Sequence, residues 1–201
     1  MAQIAQIAIT CINAPLDTVV SGFEHEFSVD DLKRKYGKLT FRASTMKDYF
    51  SQQRGGSLPI KCAFFAPQSN PTTTVFYTNL SDGWVHLTQR YLAKHHDWEM
   101  YYININEGDE TSYPSSQFFW FCGGEKRLII CQKEEKWTFF QDGKPLSFED
   151  TSRYNRRLKS ERFNANMAIQ YLRTAGWNLV VDEFWIPVGD VIQFNQKSLT
   201  Y

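Results

Sequence analysis

Hydrophobic positions along the chain follow two periods, and the changes between them mark the elements. Runs of β-branched and aromatic residues predict strands at "QIAITCIN" (residues 6–13), "KLTFRAS" (38–44), "IKCAFFAP" (60–67) and "TTTVFYTN" (72–79). The turn cluster "QSNP" makes the last two an antiparallel pair. Between the first two, "SVDDLKRKYG" (28–37) predicts a short helix, with Ser28 as cap, Asp31 at the capping-box position and Gly37 as the stop. "FEHEF" (23–27) alternates as a strand edge does, which would put Glu24 and Glu26 on one face and His25 on the other.

The period switches in "LSDGWVHLTQRYLAKHH" (80–96), where Trp84, Leu87, Tyr91 and Leu92 form a single helical stripe. A strand, "WEMYYININ" (98–106), follows at once, so residues 72–106 have the strand, helix, strand form of a crossover. From Gln117 the pattern is a meander: "QFFWFC", a "GGEK" turn, "RLIICQ", a "KEEK" turn and "WTFFQ". Asp142-Gly143 then signals a further hairpin whose returning strand Pro145 would confine to a short edge piece. A helix is predicted from Glu161 onward, with Phe163, Met167, Ala168, Tyr171, Leu172 and Ala175 on its core face. Gly176 and Trp177 supply a Schellman stop, Trp177 packing back on Leu172. A last short strand is expected around Val191 to Phe194.

These elements predict an α+β fold: an antiparallel-dominated sheet, a β-meander in the C-terminal half, and three to five helices packed on it. The 201 residues are read as one domain, with a possible subdomain boundary at the turn-rich "SQQRGGSLP" (51–59).

Composition narrows the function. Lys plus Arg and Asp plus Glu are 22 each, so no global field draws the chain to nucleic acid or to an anionic membrane. The start, "MAQIAQIAITCINAP", lacks the basic n-region of a secretion signal, and no run approaches the roughly 20 apolar residues of a membrane span. Cys11, Cys62, Cys122 and Cys131 have no CxxC spacing and lie in apolar runs, which reads as free buried thiols in a reducing cytoplasm. Aromatic residues at 16% are read first as a ring-rich core, with rings left over for a partner as the second reading.

Few catalytic constellations are available. The chain has no GxSxG elbow, no GxxxxGK loop, no GxGxxG turn and no HExxH helix. His86 and His95 fall on opposite sides of one predicted helix, and "HHDWE" (95–99) is explained by the negative end of that helix dipole. No metal or other cofactor is expected.

Two charged surfaces remain as partner-binding candidates. Glu107, Asp109 and Glu110 form an acidic turn after the crossover strand. Arg153, Arg156 and Arg157, if helical, share one face of "TSRYNRRLKSERFN", with Tyr154 and Leu158 as core anchors beside them. The expected function is a non-catalytic cytoplasmic protein-binding module, in concrete form a bacterial immunity or antitoxin protein that sequesters another protein. An alternative is an unrecognised hydrolase using His25 with Glu24 or Glu26, or His96 with Glu99. A second alternative is a weak nucleic-acid binder through Arg153, Arg156 and Arg157 with Tyr154. A membrane partner is not expected.

Overall fold

The computed structural model describes residues 6–26, 36–52, 59–81, 92–93, 96–108 and 112–197. Its frame is one sheet built from β1 (Gln6–Ile12), β2 (Tyr36–Phe41), β3 (Lys61–Phe65), β4 (Thr74–Thr78), β5 (Met100–Asn106), β6 (Ser115–Cys122), β7 (Glu125–Lys133), β8 (Trp137–Asp142) and β9 (Val191–Gln196). The spatial order is β2-β9-β3-β4-β1-β5-β6-β7-β8, and every neighbouring pair is antiparallel. Strands from both sides of residues 51–59 share this sheet. β1 lies antiparallel to both β4 and β5, so those two run in the same direction on either side of it, which is the crossover that the 72–106 pattern predicts.

Alternation along the strands loads both faces with apolar side chains. Ile7, Ile9, Cys11, Phe65, Val75, Tyr77, Ile103 and Phe118 point to one face, where they pack with Tyr171, Leu172, Trp177 and Trp185 from the C-terminal third. Ala8, Ile12, Phe64, Phe76, Tyr102 and Phe119 point to the other, under Val19, Val20 and Phe23. At about 1.5–3 kcal/mol per fully buried large apolar side chain, these two layers dominate the stability of the sheet.

Two α-helices are present among the described residues, fewer than the three to five expected: α1 (Leu16–Glu26) and α2 (Ala165–Thr174). α1 occupies the stretch whose end was read as the strand edge "FEHEF". Leu16, Val19, Val20 and Phe23 recur at i, i+3, i+4 and i+7, and the Pro15 carbonyl accepts the Val19 amide to open the first turn. α2 begins four residues later than Glu161, because Asn164 caps it through a side-chain bond from the Met167 amide at 3.1 Å. It ends as predicted: the Gly176 amide reaches the Arg173 carbonyl and the Trp177 amide the Leu172 carbonyl, both at 3.0 Å.

Of the helix expected over 28–37, residues 28–35 lie outside the described residues. Tyr36 and Gly37 open β2 rather than closing a helix. Most of the stripe at 84–96 is also outside them. Leu92 and Ala93 are helical, the His96 amide bonds the Leu92 carbonyl at 2.9 Å, and Leu92 is buried in the α1 layer. No described helix is long and apolar enough to cross a membrane, which says nothing of strand-built membrane proteins.

The last strand is not an edge. β9 inserts between β2 and β3, in register Lys38↔Phe194 and Cys62↔Phe194, and so ties the C-terminal end of the chain to elements formed more than a hundred residues earlier. The expected Asp142-Gly143 hairpin does not form. β8 is the edge of the sheet, and after Gly143 the chain leaves the ladder.

Candidate functional site

That departure is caused by Arg127. It occupies an inward position of β7 between Glu125 and Ile129, and its side chain is 1% exposed. A guanidinium there must find partners for all its donors, and it captures the chain beyond β8 to obtain them. Nη1 donates to the carbonyls of Asp142 and Gly143, and Nη2 to Gln141 Oε1 at 2.7 Å. Nε and Nη2 together clamp the Glu149 carboxylate, with the shortest contact 2.6 Å and the Glu149 side chain wholly buried. Glu149 also accepts from the Leu146 amide at 2.9 Å and from the Tyr154 hydroxyl at 2.8 Å. Burial alone would lower the Arg127 pKa, but the bonds and charge of Glu149 raise it above its ordinary value. Burial, then the bonds with Tyr171 and Glu149, drive the Tyr154 hydroxyl strongly upward, so it stays a donor.

This clasp positions the basic segment. Tyr154 is drawn into the core against Phe139, and Phe163 is buried nine residues on. The stretch between two such anchors cannot continue as one helix. It forms 3-10 turns at Thr151–Asn155 and Lys159–Glu161, with Arg156 and Leu158 extended. The predicted helical face of Arg153, Arg156 and Arg157 is therefore not present. Arg153 pairs with Asp150 at 3.3 Å and Arg156 with Glu161 at 3.5 Å. Arg157 is exposed and makes no ion pair among the described residues. Leu158, expected as an anchor, is 58% exposed, while Arg162 lies over the Phe139 ring and bonds the Arg156 carbonyl.

The acidic candidates are only partly described. Glu107 is exposed just beyond β5, and Asp109 and Glu110 lie outside the described residues.

Of the residues in the hydrolase pairs, the side chain of Glu26 lies outside the described residues. His25 is exposed in the last turn of α1, and Glu24 there is bonded to Lys38 at 2.7 Å. His96 stacks flat on Trp98 at 4.0 Å and abuts Gly22 of α1, on the layer that α1 covers. Glu99 faces the opposite layer, where its carboxylate accepts from Asn13 Nδ2 at 2.6 Å, the Tyr101 hydroxyl at 2.7 Å and Trp120 Nε1 at 3.0 Å. Partial burial pushes the Glu99 carboxyl up, but these three donated bonds outweigh it and hold its pKa below the usual carboxylate value. It is a fixed anion, unsuited to give or take a proton near neutral pH.

Cys122 sits one register step beyond the Met100↔Phe121 pair, next to this carboxylate. Burial first, and then the charges of Glu99, Asp97 and Glu125, raise its thiol pKa, the reverse of what a nucleophile requires. Cys11, Cys62 and Cys131 are buried, and burial pushes Cys62 up to about 12. Among the described residues no cluster of three or more His, Cys, Asp or Glu is placed to hold a metal ion.

Comparison with models of known protein families, with curated proteins and with solved structures finds no match.

Sequence reasoning missed the Arg127–Glu149 clasp. The signal available to it was local: in "EKRLIICQK" the inward phase reads Glu, Arg, Ile, Cys, and a charged residue in phase with core positions has to be paired.

Proposed function

We propose that the chain is a protein-binding module without catalysis of its own, of the kind that sequesters a partner as immunity and antitoxin proteins do. The observation carrying this reading is the segment Arg156–Lys159. It is held at both ends by Tyr154 and Phe163 over a buried ion pair, yet it turns outward a 58% exposed Leu158 and an Arg157 with no ion pair among the described residues. Ordering a segment firmly while leaving an apolar side chain and a guanidinium in water costs stability, and a protein interface recovers that cost by covering both.

The nucleic-acid alternative draws less support, because Arg153 and Arg156 are each neutralised by a neighbouring carboxylate, leaving one of the three cations for phosphate. The hydrolase alternative draws less support from the separation of His96 and Glu99 by the sheet. Affinity capture from the native cell tests the proposal. The wild-type chain is expected to retain one stoichiometric protein that Arg157→Glu releases. Capture of no specific protein, or equal capture by the variant, counts against it.

A further inference from the structure

We propose that the outer edge of β8 takes up an extended acidic segment of a partner protein as an additional strand of the sheet. This deepens the protein-binding reading and rests on it. β8 ends the strand order, and the chain is described without interruption from Ser112 to Lys197 around it. Among the described residues no strand pairs with its outer side. Of the common protections of an edge, Trp137–Asp142 lacks a proline and, at six residues, is not unusually short. Phe140 projects from it 53% exposed, on the face opposite Phe139.

The flanking charge selects the occupant. Residues 133–162 hold eight Lys or Arg and six Asp or Glu. Asp142 and Glu149 are paired with Lys126 and Arg127 from outside the segment, and Asp150 and Glu161 with Arg153 and Arg156. Lys133, Lys136, Lys144, Arg157, Lys159 and Arg162 then face only Glu134 and Glu135 as carboxylates outside those pairs. The 3-10 turn Lys159–Glu161 packs against β8 and β7, with the Lys159 carbonyl on Cys131 Sγ, so part of this charge lies beside the edge. A strand added to β8 presents alternate side chains to the two faces. Those on the Phe139 face meet Arg162, which lies over the Phe139 ring, and the turn that carries Lys159, and those on the other lie beside Phe140 and Thr138. The fitting segment alternates acidic and apolar residues. Pairing with a second copy would set two such cation-rich flanks side by side and is disfavoured by the same charge.

The probe is a fluorescein-labelled peptide of four Glu-Val repeats, followed by anisotropy and by amide hydrogen exchange of the full chain. Binding is expected to weaken with salt and to fall at least about fivefold in Arg157→Glu, an exposed change that leaves the fold intact. A Lys-Val peptide of the same length should not bind, and the peptide should slow exchange at the amides of Trp137–Asp142. No binding, equal binding of the Lys-Val peptide or of a short oligothymidylate, or protection at β2 instead of β8 overturns the proposal. So does a dimer of the free chain with β8 already protected, which would give the edge to a second copy. If the protein captured from cells depends on Arg157 but leaves β8 amides unprotected, the binding reading stands and the added strand falls; if no protein is captured, both fall.

Discussion

At the scale of single residues, the buried pair of Arg127 and Glu149 organises everything after β8. Such a pair adds little net stability over apolar residues of the same shape, but removing one member strands the other in a dry site. Glu149→Gln leaves the guanidinium without a countercharge and is expected to cost about 3–5 kcal/mol in urea unfolding. The double change Arg127→Met with Glu149→Leu should cost less than the two single changes together by about 2 kcal/mol. Strict additivity would show that the contact does not couple them. Glu99 offers a second test, through pH. Its folded pKa lies below the unfolded value, so the unfolded state binds more protons in the window between them and stability rises with pH there. The stabilisation is complete above the ordinary carboxylate value of about 4.3 and is lost as pH falls through the lower folded value. Glu99→Gln should therefore be destabilised by about 1 kcal/mol at pH 7, with the gap to wild type closing below about pH 4. A gap independent of pH would place the loss in packing rather than in the charge.

At the scale of elements, strands and the α2 stop were readable because each depends on a local period or on two adjacent residues, as at Gly176 and Trp177. α1 was readable as well, since its stripe from Leu16 to Phe23 is complete, but "FEHEF" read with period two concealed it. The Asp142-Gly143 turn failed for a reason that lies outside its own residues. Gly143 has φ 86°, as a hairpin glycine would, but a guanidinium from β7 takes the carbonyls of both turn residues. The insertion of β9 between β2 and β3 was likewise hidden, because strand order is set by pairings far apart in sequence. Gly143 can be separated from an ordinary turn glycine by experiment. A Cβ there would overlap the Lys126 carbonyl, whereas one at Gly124, with φ 82°, meets nothing within 4 Å. Gly124→Ala should cost about 1 kcal/mol for the left-handed backbone alone, and Gly143→Ala upward of about 2 kcal/mol. Equal costs in denaturant unfolding would mean that the close approach of Gly143 to β7 is not made.

At the scale of the whole molecule, one sheet separates two apolar layers, and its thiols report on each. Cys11 and Cys131 lie in the layer with α2, and Cys62 in the layer with α1. β1, β3 and β7 belong to the same sheet, so strand pairing supports both layers at once. The three thiols are thus expected to become reactive together, at the global transition, when the chain is titrated with urea in the presence of a chromogenic disulfide. Cys122, half-buried beside Glu99, should be the one thiol that reacts in the native state, and more slowly than free cysteine at pH 8 because its raised pKa leaves less thiolate. Reaction of Cys62 at a lower urea concentration than Cys11 would show the α1 layer opening as a separate unit. In that event the two layers would act as separate cooperative units on the two faces of one sheet.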